Sequence, residues 1–197
     1  MISREDLLSN PEFVAARPVR ERLAIQSAMV RRLGVGPNLT LLFENRTSVL
    51  WQIQEMCRVE QIVAPAAVQH EVDTYAALLP TASELSATML VEYPDAGERD
   101  VMLHRLVGLA DHLWFVFDGE RVAARFDGEQ YNEKRISSVQ FLRVPLTTAQ
   151  RSVLLDLARP VQVVVDHPAY TVTTALPASL RGALAEDLAL ESGASPG

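Results

Sequence analysis

Apolar positions recur at two different periods along this 197-residue chain, and the change of period divides it. Up to about residue 80 the spacing is helical. Val19, Leu23, Val30 and Leu33 fall on one side of a helix that Pro18 opens and that Gly34 and Gly36 stop. Ahead of it, Ser3 and Asp6 have capping-box spacing and Pro11 can open a turn. Leu50, Ile53, Met56 or Cys57, and Glu60 take successive turns of a second helix, over about 47–62. Val68, Val72, Tyr75 and Leu79 repeat in a third, opened by Pro65 and ended at Leu79-Pro80. Between the first two helices, 39–43 reads as a strand.

Beyond residue 80 the period shortens. Segments 86–93, 113–117, 121–126, 139–144, 161–166 and 170–176 read as strands. Asp118-Gly119 is a two-residue hairpin signal, and His167-Pro168 turns the last two strands. Helices are expected at 99–109, from a cap at Thr147 or Thr148 through Ala158, and after Pro177, with a polar loop at 130–135. Helices first and antiparallel strands later predict an α+β fold, an N-terminal helical layer packed on a mainly antiparallel sheet. The expectation is a single domain over 1–190 and a flexible C-terminal tail over 191–197.

Composition narrows the function classes. Apolar runs such as 161–165 fall far short of the roughly 20 residues a membrane helix needs, and 1–10 is charged, unlike a secretory signal. A cytoplasmic protein is expected. A net charge of −7 disfavours nucleic acid as a partner, because phosphate binding needs concentrated Lys and Arg. Lys134 is the only lysine beside abundant arginine, a skew typical of GC-rich bacterial coding. Cys57, the only cysteine, excludes an internal disulfide and a Cys-based zinc or iron–sulfur site. On a helix it reads as a small buried apolar side chain.

Three constellations could carry chemistry. Glu44, Asn45 and Arg46 sit where a strand meets a helix, a place where polar side chains and free N–H groups face a ligand. With Gln54, Glu55 and Arg58 on the next helix they form a candidate ligand or partner site. The competing reading is a structural network with Asn45 or Thr47 as helix cap. Arg121 and Arg125 alternate onto one strand face, and Arg143 on a neighbouring strand would complete a row able to grip an anion. Nearby Glu120, Asp127, Glu129 and Glu133 offer ion pairs instead. Glu44, Glu55, His70, Glu71, His104 and His112 are candidate ligands for non-haem iron or manganese. They lack Glu-x-x-His or His-x-x-x-His spacing, and the adjacent His70 and Glu71 point about 100° apart on a helix. No GxSxG, GxGxxG, Walker loop or zinc spacing occurs.

The segments GPNLTLLFENR, WQIQEMCRVEQI, ELSATMLVE, RLVGLADH and VVVDHPAY resemble the bacterial family known as domain of unknown function 3501. The resemblance spans nearly the whole chain. It implies no established activity, cofactor or residue role. It does imply a redox or oxidative-stress setting, with a rubrerythrin-like or iron–sulfur oxidoreductase protein as partner. The expected function is therefore a non-enzymatic accessory or binding protein. A metal-dependent enzyme built on the Glu/His set and a small-anion binder are the alternatives.

Overall fold

The computed structural model describes residues 2–127 and 134–191. Most of the polar loop expected at 130–135, and the expected tail beyond 191, lie outside the described residues. The chain forms two compact units, one from 1–30 with 44–79 and one from 31–43 with 80–197.

The first unit is helical. After a 3₁₀ turn at Arg4–Asp6, capped by the expected Ser3/Asp6 box, α1 runs unbroken over Asn10–Val30. The helix expected to begin at Pro18 thus begins eight residues earlier, where the N–H and Oγ of Ser9 both donate to Glu12 at 2.9 and 2.6 Å. That Ser-x-x-Glu spacing is itself a helix-start signal. Pro18 lies inside α1 and removes one helical hydrogen bond, a loss of about 3 kcal/mol or more in a helix interior. Packing on both sides of it holds the helix together, because Phe13 meets Trp51 of the second helix and Ser27 meets Asn45, the cap of that helix. That helix, α2, spans Arg46–Val59, and α3, with Pro65 at its first turn, spans Pro65–Ala76. Ile2, Val49, Ile53, Cys57, Val72 and Leu79 form the unit's core. Val19, Leu23 and Val30, the expected apolar side of α1, remain 54%, 50% and 44% exposed.

Among the described residues the second unit holds nine strands in two antiparallel sheets, with three α-helices. Strands β1 (Arg32–Val35) and β2 (Leu39–Phe43) form a hairpin. Gly34 and Gly36 therefore do not stop a helix: Gly34 lies in β1, and Gly36 takes φ +71 in the hairpin turn. Next come β3 (Glu84–Val91), α4 (Ala96–Arg105), β4 (Leu113–Phe117), β5 (Glu120–Ala123), β6 (Arg125–Phe126) and β7 (Val139–Pro145). The chain continues through α5 (Thr148–Leu155), β8 (Val161–His167), β9 (Tyr170–Ala175) and α6 (Ala178–Glu191). One sheet has the order β1-β2-β3-β7-β6 and the other β5-β4-β8-β9.

The segment expected as one strand over 121–126 is divided at Ala124, with β5 pairing with β4 and β6 with β7. Ala124 itself donates its N–H to the Leu113 carbonyl at 3.1 Å, so the chain passes from one sheet to the other there. At the far edges, Tyr170 of β9 donates its hydroxyl to the Val35 carbonyl of β1 at 2.7 Å. Inward residues of both sheets, including Leu41, Met89, Phe115 and Val163, share one core with Leu103, Val153, Leu154, Leu180 and Leu184. The α+β class read from the sequence is the observed one. No helix among the described residues is long and apolar enough to cross a membrane.

Candidate functional site

The strand–helix junction is a closed network. Asn45 is extended, at φ −148 and ψ 179, and its side chain accepts from the Ser48 N–H at 2.9 Å, so it caps α2. Its amide also donates to the Ser27 hydroxyl at 3.0 Å, tying α1 to the start of α2. Glu44 accepts from the Ser48 hydroxyl and, at 3.0 Å, from the Gln52 amide. Gln54 clamps Leu8, accepting from its N–H at 2.8 Å and donating to its carbonyl at 3.1 Å. Glu44, Asn45 and Gln54 are 5%, 8% and 6% exposed. Glu55 lies between Arg58 at 2.8 Å and Arg17 at 2.7 Å, and their hydrogen bonds hold its carboxyl below the usual carboxylate range. Arg46 pairs with Asp6. The six candidates thus hold the N-terminal segment, α1 and α2 in register.

The arginine row is divided. Arg125 and Arg143 are register partners, and both approach Glu84, at 4.0 and 3.5 Å. Arg121 lies in the other sheet and pairs with Asp166 at 2.9 Å. The strand break at Ala124 undoes the alternation that would have put Arg121 and Arg125 on one face. The six Glu/His candidates are dispersed. Glu44 and Glu55 belong to the junction network, while His70 lies exposed on α3 and Glu71 half-buried beside it. His104 bonds the Asp100 carbonyl on α4, and His112 bonds Asp166. Among the described residues no group of three or more His, Cys, Asp or Glu side chains is placed to hold a metal ion.

Two features escape sequence reasoning. The first centres on Asp166 at the end of β8. One of its oxygens receives the Trp114 indole N–H at 3.1 Å and lies 3.0 Å from His112 Nδ1, and the other receives Arg121 at 2.9 Å. The His112 bond, joined by those from Trp114 and Arg121, holds the Asp166 carboxyl below its usual range. The His112 ring meets His167 edge to face at 5.2 Å. His167 is buried with both nitrogens engaged, accepting from the Ala169 N–H and facing the Val107 carbonyl, each at 3.1 Å. Only the pairing of β4, β5 and β8 assembles these residues.

The second is a groove of about 210 Å³ between α1 and α2. Phe13, Leu23, Leu50 and Trp51 supply its apolar walls, and Arg20 and Ser27 polar points along it. Trp51 is braced by Phe13, 5.7 Å away between ring centroids, and by the Arg17 guanidinium 5.4 Å above its ring. Arg20 is exposed and forms no ion pair with any described residue. Leu23 was legible as part of an apolar stripe, but the stripe's exposure was not.

Comparison with known proteins agrees with this fold. A solved structure from Burkholderia pseudomallei K96243, described as a novel protein of unknown function, is 31% identical to this chain. It superposes with a TM-score of 0.87 over 94% of this chain and 98% of its own. No curated protein matches. The family model described as a protein of unknown function, DUF3501, matches residues 1–188. This chain belongs to that family.

Proposed function

We propose that this protein is a non-enzymatic binding protein that acts by holding a partner protein in the groove between α1 and α2. The observation that carries this reading is an apolar, aromatic-walled groove with Arg20 beside it, exposed and in no ion pair with any described residue. Tryptophan and arginine dominate binding energy at protein interfaces, because one buries a large rigid surface and the other makes directional charged bonds. Leu23 is half exposed in the free chain, so covering it removes apolar surface from water. Arg20 matches a carboxylate. The segment that fits is an apolar side chain flanked by an acidic one. The redox setting, with a rubrerythrin-like or iron–sulfur oxidoreductase protein as partner, rests on the family resemblance.

The test is binding of the full chain to such a partner by calorimetry. Leu23→Asp and Arg20→Glu should each weaken the complex by tenfold or more, about 1.4 kcal/mol, with circular dichroism unchanged. Affinity indifferent to both changes would sink the reading.

One observation favours the enzymatic alternative. Asp166 engages His112 Nδ1 and leaves Nε2 without a described partner on a half-exposed ring, as a carboxylate does when it orients a base. Elemental analysis of untagged protein, purified without chelators, separates the two readings. A stoichiometric transition metal that is lost on His112→Ala would move the function to this face.

A further inference from the structure

The side of α1 turned away from that groove carries a second apolar stripe, and it goes beyond the partner reading. At 100° per residue, Val14, Pro18, Ile25 and Met29 fall within about 60° of one another. Val14, Ile25 and Met29 are 56%, 54% and 72% exposed, and Pro18 is exposed as well. On the opposite side Phe13 and Ser27 engage α2, and Arg17 pairs with Glu55 of that helix. The stripe faces none of these contacts. It runs for roughly 22 Å, at 1.5 Å rise per residue, a length able to seat another helix.

We infer that this stripe is covered by α1 of a second copy of the chain, packed antiparallel. The order of side chains along it supports that occupant. From either end the stripe reads apolar, apolar, charged, charged, apolar, apolar: Val14, Pro18, Glu21, Arg22, Ile25, Met29. A two-fold axis between Glu21 and Arg22 sets Val14 opposite Met29, Pro18 opposite Ile25, and Glu21 opposite Arg22 of the other copy. Every apolar residue then meets an apolar one, and two opposite-charge pairs form at the centre. Contacts of this kind are self-complementary by symmetry. A parallel pairing would set Arg22 against Arg22 and Glu21 against Glu21, which like-charge repulsion disfavours. The charges are available for the exchange. Arg22 is exposed and forms no ion pair with any described residue, while Glu21 keeps one oxygen beyond its 3.2 Å contact with Arg17.

The experiment is sedimentation equilibrium on the full chain from micromolar to hundreds of micromolar, with three variants checked by circular dichroism. The wild type should show a species of twice the 21.7 kDa chain mass. Ile25→Asp should abolish it. Glu21→Arg and Arg22→Glu should each weaken it roughly tenfold, since each sets like charges together. The double exchange E21R/R22E should return the affinity to near the wild-type value, a recovery that only the antiparallel register gives. A wild type that stays at the chain mass throughout would overturn the inference. So would a dimer that ignores Ile25→Asp, or one in which the double exchange is as weak as the singles. The groove reading is separable from these outcomes: partner binding lost on Leu23→Asp with the dimer intact leaves each to stand or fall alone.

Discussion

Arg31 and Asp187 form a buried two-pronged ion pair, with the guanidinium donating to both carboxylate oxygens at 2.8 and 2.9 Å. The residues lie 156 positions apart, so this contact ties the residue before β1 to the last helix. Removing one member of such a pair leaves a charge stranded in a poorly solvated place, which costs about 3–5 kcal/mol. Asp187→Leu and Arg31→Met should each destabilise the second unit by that order. The double replacement R31M/D187L should recover much of the loss, because neither charge of the pair is then left without the other. Urea unfolding of the four proteins checks this; additive losses would show that the pair is not the source.

Arg181 does a related task through backbone carbonyls. The residue is 4% exposed, and its guanidinium donates to the carbonyls of Val153, Leu154, Asp156 and Arg159, covering the C-terminal end of α5. A cation at that end also faces the negative pole of the helix. Lysine carries the charge but only three donors on one nitrogen, and cannot span four acceptors. Arg181→Lys should therefore cost about 2 kcal/mol, and Arg181→Met more, by leaving buried acceptors unmet. Thermal unfolding reads the order; a lysine variant equal to wild type would refute the capping account.

Gly36 and Tyr170 are fitted to each other. A Cβ at Gly36 would lie 2.6 Å from the Tyr170 hydroxyl, and φ +71 strains any L side chain. That hydroxyl donates to Val35 and accepts from the Asn38 N–H at 3.1 Å. Gly36→Ala should cost about 1–3 kcal/mol. Tyr170→Phe should cost about 1 kcal/mol for each hydrogen bond lost. The double variant should lose less than the sum, since removing the hydroxyl relieves the contact. Strict additivity in a double-mutant cycle would count against that fit.

The depressed carboxyls set an acid limit. Glu55, against an ordinary 4.5, and Asp166, against 3.8, are both held low by hydrogen-bonded partners, Arg58 foremost for the first and His112 for the second. A carboxyl lowered on folding adds stability that is fully present above its unfolded pKa and is lost as pH falls through the native value. Stability should hold from neutrality to about pH 5 and then decline on acidification. Glu55→Gln and Asp166→Asn should each flatten that decline. Urea midpoints across this range test it, and unchanged slopes would refute the assignment.

Cys57 is 3% exposed in the helical unit's core, and burial pushes its thiol up. Ellman's reagent should react with one thiol per chain in denaturant and with almost none in native buffer. Prompt native labelling would contradict this burial.

The local chemistry of the sequence was sufficient for the α+β class, the Ser3/Asp6 box, the Asp118-Gly119 turn, and helix caps narrowed to Asn45 or Thr47 and to Thr147 or Thr148. Each depends on side chains a few residues apart, where helical and pleated periods act directly. Tertiary structure decided the rest. The short alternation Leu33–Val35 looks like a helix end until β2 pairs beside it. One polar-apolar run from 121 to 126 became two strands because its neighbours belong to different sheets, and that sent Arg121 to Asp166 and Arg125 to Glu84. The junction residues were visible as a cluster, but their burial and mutual hydrogen bonds, which make them a brace, depend on Leu8, Arg17 and Ser27 arriving from elsewhere. The apolar periodicity of α1 was equally plain. Whether such a stripe is core or surface depends on what packs against it, and periodicity carries no record of that.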